Sequence, residues 1–155
     1  MREIPEGSKA PAFDMPTDGG GRVSLADLKG KTVVLFFYPK ADTPGCTTES
    51  QDFSASIDAF ARAGAVVIGA SRDPVKKLDR FKGKHDLKVI LASDEPGDVT
   101  EAYGVWGEKT LYGRTYMGIE RATFLIDGSG VVRRVWRKVS VKGHAAEVLA
   151  AAESL

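Results

Sequence analysis

Residues 32 to 38 read Thr-Val-Val-Leu-Phe-Phe-Tyr, a continuous β-branched and aromatic run closed by Pro39. A segment with no polar face is a strand buried on both sides, and such strands belong to parallel sheets covered by helices. Ala65 to Ala70 repeats the pattern as Ala-Val-Val-Ile-Gly-Ala. Between them, Thr47 to Ala63 carries Phe53, Ile57, Phe60 and Ala61 at helical spacing, and Gly64 ends it. Strand, helix and strand make a βαβ unit with a right-handed crossover. The chain has 155 residues and is 43% hydrophobic, enough for one well-filled core and too little for two comfortable domains. One domain over residues 1–155 is expected.

Beyond this unit, Asp73-Pro74 opens a helix to about Lys84, with Asp73 as cap and proline at the first position. A short strand is predicted near Val89 to Ala92, a brief helix over Gly97 to Tyr103, and a glycine- and aromatic-bearing loop over Gly104 to Gly118. Arg121 to Asp127 and Val131 to Arg137 form a hairpin through Gly128-Ser129-Gly130. Gly143 to Ser154 closes the chain as a helix with Val148, Leu149 and Ala152 inward. A parallel βαβ unit, then an antiparallel hairpin and a terminal helix, is the order of a thioredoxin-like α/β fold, a central mixed β-sheet flanked by helices. The rival is a nucleotide-binding Rossmann fold. Its support would be Gly19-Gly20-Gly21, which does not lie between a strand and a helix as phosphate binding requires.

Twenty-two basic and 21 acidic residues leave a net charge of +1, which gives no case for nucleic acid or an acidic membrane surface. Lys76-Lys77 and Arg133-Arg134 read as solvated faces. No apolar run reaches membrane-spanning length, and Met1 to Phe13 holds no stretch of signal-peptide type. A single cysteine excludes an intrachain disulfide, and a free thiol suits a reducing cytosol, so a cytoplasmic location is expected.

That cysteine, Cys46, stands where the first strand has ended and the first helix begins. An isolated cysteine is by itself a small buried hydrophobe. The surroundings here argue for chemistry. Unpaired N–H groups and the positive dipole end of a helix's first turn favour a thiolate, which is the nucleophilic form. Pro44-Gly45 forces a turn directly before the sulfur, Thr43 offers a hydroxyl, and Thr47 or Thr48 is available to satisfy the helix start. Cys46 lies seven residues before Phe53, on the inward stripe, so its sulfur is expected to be shielded yet open to a small substrate.

Pro39, Thr43 and Cys46 fill the pattern Pro-x-x-x-Thr-x-x-Cys, and a second block follows in Tyr103-Gly104-Val105-Trp106, Tyr116-Met117-Gly118-Ile119 and Arg121-Ala122-Thr123-Phe124-Leu125-Ile126-Asp127. In these motifs, and over nearly its whole length, the sequence resembles the peroxiredoxins of the bacterioferritin-comigratory-protein or PrxQ type. The resemblance implies a thiol peroxidase in which Cys46 attacks a hydroperoxide and becomes sulfenic acid, with Thr43 and Arg121 as its polar partners and Pro39 limiting solvent access. It implies hydrogen peroxide or small organic hydroperoxides as substrates, and no metal or organic cofactor. Many relatives carry a second, resolving cysteine five residues after the first or in the next helix; here Gln51 and about Lys82 stand there. The chain therefore resembles a one-cysteine variant, resolved by an external thiol such as thioredoxin or glutaredoxin with glutathione, and working as a monomer or weak homodimer.

Thiol acidity alone does not supply the rate. For a thiol in general, lowering the pKa from about 8.5 to about 6 raises the thiolate fraction at neutral pH roughly thirtyfold. The same change lowers nucleophilicity roughly tenfold if the exchange coefficient of about 0.4 to 0.5 applies to peroxides. The rest must come from holding the peroxide in line and stabilising charge on the departing oxygen. Arg121 suits that task with a permanently charged, planar donor set, and the Thr43 hydroxyl both donates and accepts. Glu49 is a candidate for orienting the site and equally an ordinary first-turn acid. His85 and His144 have no ligand spacing with Cys46, and Trp106 and Trp136 read as packing residues. The alternatives from another class are a peroxide sensor, which would stop after stoichiometric oxidation, and a non-catalytic binding domain on the same fold.

Overall fold

The computed structural model describes residues 3–155. Its centre is a five-stranded sheet in the order β5-β4-β3-β8-β9, formed by β3 (Thr32–Phe37), β4 (Ala65–Ser71), β5 (Ile90–Ser93), β8 (Ala122–Ile126) and β9 (Val132–Trp136). β3, β4 and β5 pair in parallel, whereas β8 and β9 run antiparallel to their neighbours. This is the expected thioredoxin-like arrangement.

The doubly apolar β3 sorts its side chains by the two-residue period of a strand. Val34, Phe36 and Tyr38 enter a core shared with Phe53, Phe60, Leu78, Phe81 and Val148. Val33, Leu35 and Phe37 enter the opposite core with Phe13, Met15, Tyr103 and Val105. The first core lies under the helices α1 (Pro44–Ala55), α2 (Ile57–Arg62), α3 (Val75–His85) and α5 (His144–Glu153).

Several sequence expectations change. The helix predicted over Thr47 to Ala63 begins at Pro44 and is interrupted at Ser56, whose φ of −103° and ψ of 12° end α1 before α2 starts. The break resets the helical phase, so Phe60 still faces the core while Ala61 turns outward and Ile57 is only half-buried. Pro44 at the first turn replaces the expected threonine caps: no side chain caps α1. Asp73 does not cap α3; Pro74 occupies that position, because the Asp73 carboxylate is engaged elsewhere. Leu149 of α5 is half-buried, whereas Val148 and Ala152 are buried.

The predicted loop over Gly104 to Gly118 is mostly a hairpin, β6 (Trp106–Leu111) with β7 (Arg114–Ile119). Tyr112 and Gly113 both take positive φ, 51° and 75°, which is the turn geometry that matches strand twist in a two-residue hairpin. Its strands are largely exposed and show no clean alternation, which hides them from a hydrophobic pattern. A second hairpin, β1 (Asp14–Pro16) with β2 (Arg22–Ser24), contains Gly19 and Gly20 at φ of 74° and 79° in its connection. The glycine triplet is thus a hairpin connection, which removes the nucleotide-fold reading. Between β5 and β6, α4 (Asp98–Ala102) is capped by the Asp94 carboxylate, which accepts from the amides of Val99 and Thr100 at 3.2 and 2.7 Å.

Candidate active site

β3 delivers the chain to the carboxyl end of the parallel strands, where Tyr38 to Thr43 crosses to α1. Open α/β sheets place reactive groups at this edge. The crossing is fixed from three directions. The Ala41 amide donates to Asp73 Oδ2 at 2.7 Å, and the Thr43 hydroxyl donates to the Lys40 carbonyl at 2.8 Å. Asp42, in the left-handed region at φ of 64°, reaches His85 Nε2 at 2.8 Å and Lys84 Nζ at 3.0 Å on the last turn of α3. The bond to His85 and then that to Lys84 hold the Asp42 carboxyl below its usual range.

Cys46 is the third residue of α1 and is 1% exposed. Thr43 is the extended N-cap, and the first amide to close an α-helical bond here is that of Thr47, onto the Thr43 carbonyl at 2.9 Å. Pro44 has no N–H, and among the described residues the amides of Gly45 and Cys46 have no acceptor. Two unpaired amide donors and the positive helix end therefore belong to the same turn as the sulfur.

Arg121, 75 positions later and immediately before β8, places Nη2 at 3.4 Å from Cys46 Sγ. Its Nη1 donates to Glu49 Oε1 at 2.6 Å. Glu49 is one turn along α1 from Cys46 and equally buried, so sulfur, guanidinium and carboxylate form a chain across the base of the site. Burial pushes the Glu49 carboxyl up to about 7, against the pull of Arg121. Its second oxygen, Oε2, has no partner among the described residues. Burial also opposes the Arg121 charge, yet Glu49 and then Cys46 outweigh it and hold the guanidinium firmly protonated.

The remaining sequence candidates take distinct places. Thr43 is half-buried at the helix cap with its proton committed to Lys40, leaving its oxygen as acceptor. Pro39 is half-buried and lines a cleft with Lys109 and Ile119. His85 belongs to Asp42, and buried His144 bonds Thr123 Oγ1 at 2.8 Å behind the site. Trp106 and Trp136 each lie beneath a guanidinium, those of Arg72 and Arg134. Among the described residues no group of three or more His, Cys, Asp or Glu is arranged to hold a metal, and no helix is long and apolar enough to cross a membrane.

Sequence reasoning missed two contributors. A Cβ on Gly45 would lie 3.2 Å from Arg121 Nη2, so the bare glycine makes room for the guanidinium. Lys109, from the unpredicted hairpin, is close enough for the charges of both Arg121 and Cys46 to act on it. The proline-glycine turn pointed to the first; nothing in the local sequence pointed to the second.

Residues 7–135 match the model of the AhpC/TSA family. The chain belongs to that family. Peroxiredoxin Bcp of Bacillus subtilis is 50% identical over 143 residues, covering 92% of this chain and 91% of that protein. A cysteine-to-serine mutant of PrxQ from Xylella fastidiosa superposes on this AhpC/TSA-family chain with a TM-score of 0.94 at 35% identity, covering 99% of this chain and 98% of the other. Bacterioferritin comigratory protein of Xanthomonas campestris, whose structures address alkyl peroxide reduction, has a TM-score of 0.87 at 43% identity, with 92% and 90% covered.

Proposed function

We infer that this chain is a thiol-dependent peroxidase that reduces hydrogen peroxide and small organic hydroperoxides at Cys46. The observation that carries the reading is the Arg121 guanidinium 3.4 Å from a sulfur at an uncapped helix start, in a chain of the AhpC/TSA family. The Cys46 thiolate attacks the terminal peroxide oxygen; the S–O bond forms as the O–O bond breaks. Both electrons of the broken bond leave on the other oxygen, which takes a proton and departs as water or alcohol. Cys46 is left as sulfenic acid.

Negative charge moves from sulfur to the departing oxygen during this step. Fixed donors at the oxygen's position stabilise that change without reorganising, and Arg121 with the unpaired Gly45 and Cys46 amides are the donors available for that role. The Thr43 oxygen accepts a hydrogen bond from the attacked hydroperoxide, whose proton stays on the oxygen that passes to sulfur, and Pro39 walls the approach and limits water. Glu49 holds Arg121 in place without touching the peroxide. With one cysteine in the chain, an external thiol closes the cycle, supplied by thioredoxin, by glutaredoxin with glutathione, or by a small thiol. A reducing cytosol supplies such thiols, and the working unit is a monomer or weak homodimer.

Stopped-flow tryptophan fluorescence on mixing with hydrogen peroxide tests the assignment. Cys46→Ser abolishes the response and peroxide consumption while the fold is kept, and Arg121→Ala slows oxidation by about 10²- to 10³-fold, the scale of a lost transition-state donor. Peroxide consumption by the serine variant would falsify the role of this sulfur. Continuous turnover with a reductant separates a peroxidase from a sensor, which stops after one equivalent.

A further inference from the structure

A cleft of about 430 Å³ has a lining that includes Pro39, Lys40, Arg72, Trp106, Lys109 and Ile119, and Lys109 is near enough to Cys46 for the sulfur's charge to act on it. That volume is in the range of small-molecule sites. Three cations meet there in a molecule whose net charge is only +1, and among the described residues none of them is ion-paired with a carboxylate. Arg72 is stacked 3.4 Å over the Trp106 ring and tied to Thr100 Oγ1 and the Gly97 carbonyl at 2.9 and 3.0 Å, with Nη1 left over. Lys109 donates to the Ile119 carbonyl at 2.9 Å, while Glu120, whose charge also acts on it, is held by Arg137. The carboxylate that lines the cleft, Asp73, is occupied by Lys77, the Ala41 amide and the Ser71 hydroxyl. Burial and the Arg121 charge press against the charge of Lys109, a strain that an anion in the cleft would relieve.

Cys46 is 1% exposed. A thiol carried on a protein surface cannot bring its sulfur into line with so recessed an atom unless the start of α1 opens, whereas a slim molecule can enter along Pro39. We propose that this cleft seats a low-molecular-weight thiol bearing carboxylates, and that such a thiol is the direct reductant of oxidised Cys46. The proposal rests on the peroxidase reading above and deepens it. The bound thiolate attacks the sulfenic sulfur; an S–S bond forms, the S–O bond breaks, and the hydroxyl leaves as water with the proton the thiol gave up. A second thiol then attacks the ligand's sulfur in the mixed disulfide, releasing the Cys46 thiolate and the ligand disulfide. Two thiols supply the two electrons that the peroxide removed.

The test follows the two half-reactions separately on the full chain, with glutathione and its diethyl ester as probes. After oxidation by one equivalent of hydrogen peroxide, glutathione reduces Cys46 at least about tenfold faster than the ester at equal thiolate concentration, and added salt narrows the gap. In Lys40→Gln/Lys109→Gln the preference for glutathione collapses, and the reduction step loses about tenfold more than the oxidation step does. Equal rates for the two probes in the unaltered chain overturn the proposal without relying on any variant. So does faster reduction by thioredoxin that ignores the two lysines. If peroxide forms no sulfenic acid, the peroxidase reading fails and the proposal with it; sulfenic acid reduced without regard to probe charge overturns the cleft alone.

Discussion

Glu49 carries two opposed demands, because its carboxylate must be charged to hold Arg121 firmly and is buried where charge is costly. Unfolded, it titrates near 4.5; folded, near 7. Between those values the native chain holds a proton that the unfolded chain has released, so stability falls as pH rises through this window and is level on either side. The contribution is on the order of 3 kcal/mol. Urea denaturation from pH 4 to 8 is expected to show this decline in the unaltered chain and a flatter profile in Glu49→Gln. The same variant keeps an acceptor for Arg121 but loses the carboxylate's charge and so the ion pair, and its oxidation by peroxide slows by about tenfold. Gly45 acts on the same guanidinium by absence of bulk. Gly45→Ala puts a methyl group 3.2 Å from Nη2, in a first turn where alanine is otherwise the better helix former. Stopped-flow oxidation is expected to slow by about tenfold while the melting temperature holds or rises. Such a split separates misplacement of Arg121 from damage to the fold.

At the scale of elements, the crossing from β3 to α1 is the part that must not move. Asp73 leaves its expected place as a helix cap and instead accepts from the Ala41 amide and the Ser71 hydroxyl. In Asp73→Ala that amide, on a residue 2% exposed, loses its acceptor, at a cost of about 1 to 3 kcal/mol. Chemical denaturation measures this loss, and a fall of about tenfold in the oxidation rate at temperatures where the variant is fully folded shows the loop's positioning role. The sheet and its crossover were legible because β3 and β4 are apolar on both faces, a pattern that needs no partner to interpret. Cys46 stood out from its place at the start of a helix, whereas Thr43, Pro39 and Arg121 entered through the resemblance, and of these the structure brings the Arg121 guanidinium to the sulfur. The β6–β7 hairpin was not legible, since its strands are exposed and its turn is Tyr-Gly in place of the usual Asn-Gly. Nor was the break at Ser56, which leaves no proline or glycine in the sequence as a marker.

At the scale of the whole molecule, the sheet's packing and the placement of the sulfur share a path. Phe36 of β3 stacks on Phe53 of α1 at 4.5 Å, and Phe53 shares the core of Cys46. Across the parallel register Phe36 faces Gly69 of β4, where a Cβ would come within 2.6 Å of the ring. The ring cannot yield freely, because Phe53 and Tyr38 bound it in the same core. Gly83, in the interior of α3, is exposed, and a Cβ there meets nothing within 4 Å. One chemical change should therefore have opposite signs at the two sites. Gly69→Ala overpacks the sheet and costs about 1 to 3 kcal/mol. Gly83→Ala removes unfolded-state freedom and adds about 0.4 to 1 kcal/mol. In a chain of this size each kcal/mol shifts the melting temperature by about 2 to 4 °C, so calorimetry resolves both. Displacing Phe36 also presses on Phe53 and hence on α1, so Gly69→Ala lowers the peroxide rate of folded molecules while Gly83→Ala leaves it unchanged. A Gly69→Ala protein that melts earlier yet reacts at the full rate would show that the sheet supports the helix without setting the position of its sulfur.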